Sequence, residues 1–129
     1  MIRVLAVLAV LALIAAAPPL LARSRRRADG ADLPDEHLGH FAVAGASRTW
    51  IVFTTPYCAT CGPLMEEIGR TFPDDGLVAL DGAEHGELAT RLGVRRSPTV
   101  FEIDGGGRIR DRLIGADATR AHLPRVEPA

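Results

Sequence analysis

At 129 residues, with 47% apolar and 24% charged residues and a formal net charge of −1, the chain has room for one small globular domain. The apolar share excludes a disordered chain, and the near-neutral balance excludes a basic nucleic-acid-binding surface, so no nucleic-acid partner is expected.

The amino-terminal stretch stands apart. From Val4 to Ala22 no charged residue interrupts the chain, a run long enough for a helix across a bilayer core of about 30 Å. This predicts a single-pass membrane anchor over residues 1–27, with residues 4–22 in the membrane. A cleaved signal peptide is the rival reading, but Pro18 and Pro19 oppose cleavage after Ala17. Arg3 alone precedes the span, whereas Arg23, Arg25, Arg26 and Arg27 follow it. That asymmetry favours a domain facing the cytoplasm, with the extracytoplasmic face as the alternative. Residues 28–37, rich in acidic residues with Gly and Pro, form a linker, and residues 38–129 the folded domain.

Within the domain, strand and helix signals alternate. TWIVFT (Thr49 to Thr54) is a short β-branched and aromatic run and predicts a buried strand. Leu64, Met65, Ile68 and Phe72 recur at helical spacing, which predicts a helix from Cys58 to Phe72, stopped by Pro73 and distorted locally by Pro63. LVAL (Leu77 to Leu80) predicts a second strand and Glu84 to Leu92 a short helix closed by Gly93. TVFEI (Thr99 to Ile103) and RIRDRLI (Arg108 to Ile114) flank the turn DGGG and predict a hairpin, followed by a last helix over Asp117 to Leu123. The order predicts an α/β domain with a mixed central sheet flanked by helices.

The only two cysteines, Cys58 and Cys61, lie where the first strand gives way to a helix. A sulfur there sits beside unpaired N–H groups and the positive end of the helix dipole, which favours thiolate. Cys58 is then the nucleophile and Cys61 the resolving thiol. Other readings fit less well. A structural bridge across so short a loop restricts the unfolded chain little. Tetrahedral zinc needs four ligands, and His37, His40, His85 and His122 are scattered, so no metal is expected. Covalent haem attachment needs a histidine where Gly62 stands. A copper-binding module using both cysteines and one histidine remains the alternative of another class.

CATC after a strand, GVRRSPT (Gly93 to Thr99) and LIGA (Leu113 to Ala116), in that order and spacing, resemble the thioredoxin family, here over roughly Trp50 to Leu123. The resemblance implies a thioredoxin-like fold behind the membrane anchor, with no cofactor. It implies a cis Pro98 against the dithiol, Ser97 offering its backbone to an extended substrate, Tyr57 in the place of a family tryptophan, and Gly115 as a bare point of substrate approach. The family's buried acid, six residues ahead of the first cysteine, is replaced by Val52, and its Gly-Pro between the cysteines by Ala59 and Thr60. Glu102 is the candidate substitute proton acceptor, since a buried carboxylate has a raised pKa suited to proton transfer. The implied function is thiol–disulfide exchange, in the reducing direction, on protein disulfides with an unidentified dithiol electron donor. An extracytoplasmic reductase for cytochrome or metalloenzyme maturation is the alternative within the class.

Overall fold

The structure is a computed structural model that describes residues 1–13 and 33–128. It divides into two units, Met1–Asp32 and Leu33–Ala129. The described part of the first is one helix, α1 (residues 2–13), whose side chains are all exposed. The expected membrane span over residues 4–22 is corrected here: among the described residues no helix is long and apolar enough to cross a membrane. The rest of that stretch lies outside the described residues. The membrane localisation and its two proposed orientations lapse with the span.

The second unit runs β1 (Arg48–Thr54), α2 (Cys61–Thr71), β2 (Gly76–Asp81), α3 (Gly86–Arg91), β3 (Thr99–Asp104), β4 (Ile109–Ile114) and α4 (Ala116–His122). Short 3₁₀ turns occupy Gly39–Phe41 and Leu123–Arg125. The four strands form one sheet in the order β2-β1-β3-β4. β1 pairs parallel with β2 and antiparallel with β3, and β3 antiparallel with β4, so the sheet is mixed.

β1 is the central strand because five consecutive residues, Thr49 to Phe53, are buried on both faces. The period of two divides its side chains between two cores. Trp50 and Val52 join Leu64, Ile68, Phe72, Val100, Leu113, Ala116 and Leu123 beneath α2 and α4. Ile51 and Phe53 join Leu38, Leu80, Leu88, Leu92, Phe101 and Ile103 on the α3 side. Each large apolar side chain buried this way contributes about 1.5–3 kcal/mol before chain entropy is counted.

The hairpin turn is fixed by one carboxylate. Asp104 Oδ1 accepts from the N–H groups of Gly106 at 3.0 Å and Arg108 at 2.9 Å. Gly107 follows with φ +87°, and a Cβ there would collide with the backbone of Gly39. Only glycine serves both the dihedral and the approach.

Candidate redox site

The site is built where β1 ends. Helix α2 begins at Cys61 rather than at Cys58, three residues later than the apolar spacing predicts. Pro63 explains the shift: starting at Cys61 places it in the first turn, where its missing N–H has no helical partner to lose. The first helical bond runs from Leu64 N–H to Thr60 O at 3.1 Å, with no distortion needed. Cys58 therefore belongs to the loop, its N–H donating to Thr55 O at 3.2 Å. The two sulfurs are joined, with an S–S distance of 2.05 Å and Cα atoms 5.5 Å apart.

Their exposure differs. Cys61 is buried, 4% exposed, whereas Cys58 is partly open to solvent. The start of α2 carries no acidic residue in its first turn and no side-chain cap on its N–H groups. Its positive end is thus left to the sulfurs. The N-cap hydroxyl, Thr60 Oγ1, instead lies 3.7 Å from Cys58 Sγ. Sequence reasoning missed this residue as a functional group; a threonine at the cap position of the helix behind the first cysteine was the available signal.

The antiparallel register sets Phe53 opposite Thr99, so Ser97 and Pro98 fall at the same edge of the sheet as the end of β1. The Ser97–Pro98 bond is cis. Pro98 O accepts from Gly115 N–H at 2.8 Å, and Thr99 Oγ1 donates to Arg96 O at 2.7 Å, which holds the turn from both sides. Gly115 has φ +92° as N-cap of α4, and no atom lies within 4 Å of where its Cβ would stand. Beside these, Tyr57 is 95% exposed, and Ser97 is partly exposed. Cys58, Tyr57, Ser97, Pro98 and Gly115 therefore come from three loops that meet one edge of the sheet.

Glu102 is not brought there. It pairs with Trp50, while Val52, at the position of the family's acid, faces Val100 in the apolar core. Three residues along β3 from Thr99, Glu102 lies about 10 Å further from the dithiol edge. Its carboxylate is engaged instead by His122 Nε2 at 3.3 Å and by Arg48 Nη1 at 3.9 Å. Among the described residues the only side-chain polar atom hydrogen-bonded to either cysteine sulfur is Thr60 Oγ1.

The chain is 30% identical over 84 residues to the thioredoxin of Malassezia sympodialis, covering 79% of that protein. The chain belongs to the thioredoxin family. The crystal structure of Malassezia sympodialis thioredoxin superposes with a TM-score of 0.51 at 26% identity, covering 63% of this chain and 78% of that one. Chlamydomonas reinhardtii thioredoxin f2 shares the fold, with a TM-score of 0.57 at 17% identity over 71% of this chain and 90% of that one. Thioredoxin domain-containing protein 15 of Rattus norvegicus is 34% identical over 64 residues, 47% of this chain. The chain spans only 19% of the length of that relative. No family model matches the chain. The thioredoxin-like fold with its mixed sheet and flanking helices, expected from the sequence, is the fold observed.

Proposed function

We propose that this thioredoxin-family chain is a thiol–disulfide oxidoreductase that works in the reducing direction on protein disulfides. The observation that carries the reading is the unequal exposure of the two sulfurs at a helix start left without acidic residue or side-chain cap. In the reduced chain, the Cys58 thiolate attacks one sulfur of a substrate disulfide. A mixed disulfide forms and the other substrate sulfur leaves as thiolate. Cys61, deprotonated in turn, attacks Cys58 Sγ, which expels the second substrate thiolate and closes the Cys58–Cys61 bond. Two electrons have passed to the substrate, and an external dithiol donor returns them. Ser97, Pro98, Tyr57 and Gly115 form the docking edge for an extended substrate segment. The copper-binding alternative needs a histidine beside the pair. His40 and His85 pack on Phe41 instead, and His122 lies against Glu102.

Insulin-disulfide reduction with dithiothreitol as donor tests this reading. The unaltered chain should accelerate precipitation of the insulin B chain, Cys58→Ser should be inert, and Cys61→Ser should accumulate mixed disulfides through Cys58. A folded chain that neither reduces insulin nor traps a partner would refute the proposal.

A further inference from the structure

Away from the dithiol edge, three side chains from three elements converge: Glu102 of β3, Asp111 of β4 and His122 at the close of α4. Glu102 and Asp111 are cross-strand neighbours in the hairpin, and with His122 they hold one ligand atom each within 4.8 Å of the other two. His122 Nε2 lies 3.3 Å from Glu102 Oε2 and 3.5 Å from Asp111 Oδ2. Both separations exceed the roughly 2.7–2.9 Å of a charge-assisted N–H···O bond. A single Nε2–H also cannot point at two oxygens at once. The two Nε2 separations match those between neighbouring donors around zinc, and the third, between the carboxylate oxygens, is within 4.8 Å. Bonds of about 2.0–2.2 Å to zinc set neighbouring donors of a tetrahedron about 3.3–3.6 Å apart.

The carboxylates are also held in the orientation that ligands need. Glu102 Oε1 faces Arg48 Nη1, and Asp111 Oδ1 accepts from Arg112 N–H at 2.8 Å, which turns Oε2 and Oδ2 towards the imidazole. Arg48 offsets only part of the carboxylates' charge, because its Nε is bound to Asp75 at 2.7 Å and its Nη1 stands 3.9 Å from Glu102 Oε1. Two carboxylates therefore face one imidazole. Exposure rises from 14% at Glu102 through 22% at His122 to 37% at Asp111, so the cluster opens to solvent on one side, where water can complete the coordination.

We propose that Glu102, Asp111 and His122 bind a divalent cation of borderline softness, with zinc as the type, and that the ion staples α4 to the β3–β4 hairpin. A set of one imidazole and two carboxylates suits zinc better than calcium, which takes six to eight oxygens, or copper(I), which prefers sulfur.

The test uses the untagged full chain in its oxidised form, because closing the Cys58–Cys61 bond withdraws both thiolates as rival ligands. Equilibrium dialysis against zinc chloride should load one ion per chain. Asp111→Asn and His122→Gln, each checked for fold by circular dichroism, should weaken binding about 10–100-fold. Cobalt(II) should give visible d–d bands in the unaltered chain that both variants lose. Trp50, whose ring meets His122 edge-on at 6.4 Å, should lose emission on cobalt binding. Insulin reduction by the metal-free variants should match that of the unaltered chain. Zinc affinity unchanged in both variants, cobalt spectra without d–d bands, or no zinc bound at all would overturn the site.

Discussion

Replacing Asp75 by alanine should remove a large part of the stability of this domain. Asp75 is 3% exposed, and its Oδ2 accepts from Arg48 Nε at 2.7 Å and from Trp50 Nε1 at 2.8 Å. Arg48, itself 12% exposed, is stacked over Phe72 at 4.7 Å and donates through Nη1 to Glu127 O, so it cannot swing out to water without breaking other contacts. Removing one partner of a buried ion pair costs about 3–5 kcal/mol, and the abandoned indole N–H is part of that penalty rather than an addition to it. A domain of this size has about 5–15 kcal/mol in all. At about 4–8 °C per kcal/mol, the midpoint of thermal unfolding should fall by at least 12 °C, roughly. Urea titration followed by emission of Trp50, the only tryptophan, measures the change. A loss below about 1 kcal/mol would place the pair with screened surface pairs and refute the reasoning. Insulin reduction per folded molecule should not change, because Asp75 immediately precedes β2, at the opposite end of the sheet from the dithiol.

Thr60→Val should slow alkylation of reduced Cys58 by iodoacetamide at pH 6–7 by about two- to fivefold, the effect of losing about 0.5–1 kcal/mol of hydrogen bonding to the thiolate, while leaving the rate above pH 10 unchanged. The Asp104 carboxyl is held below the usual carboxylate range, chiefly by the Arg108 N–H and also by Gly106 N–H and the charge of Arg110. A lowered folded pKa stabilises above the unfolded value of about 3.9 and loses that contribution as pH falls through the folded value. The protection factors of the hairpin amides of Gly106 and Arg108, taken against intrinsic exchange at each pH, should therefore fall below about pH 3.9, and Asp104→Asn should flatten that dependence in hydrogen-exchange NMR.

The strands were legible in the sequence because β-branched and aromatic runs such as TWIVF and TVFEI have few other uses, and the DGGG turn ties two of them together. Cys58, Cys61 and the turn at Pro98 were legible for the same reason, as short motifs in a fixed order. The helix start was not, because the apolar spacing that identifies α2 begins only at Leu64 and leaves the residues before it undetermined; Pro63 decides the matter locally. The membrane span rested on hydrophobic length alone, and among the described residues no helix is long and apolar enough to cross a membrane. The place of Glu102 was not legible, because a carboxylate in an apolar strand shows only that it needs a partner. Its partners, Arg48 and His122, lie 54 residues before it and 20 after, separations at which sequence carries no local signal.

The strand order leaves β2 and β4 at the two rims of the sheet, where unpaired backbone groups can recruit a strand from another molecule. β4 defends its rim with charge: Arg110, Asp111 and Arg112 stand in succession along it, and the preceding Arg108 is tied to His37 by an isolated bridge. β2 reads Gly-Leu-Val-Ala-Leu-Asp and has no charge until its last residue. Self-association of this domain by strand addition, under conditions that crowd or partly unfold it, would therefore begin at β2. A charged residue at the exposed Ala79 is the smallest change that would protect that rim.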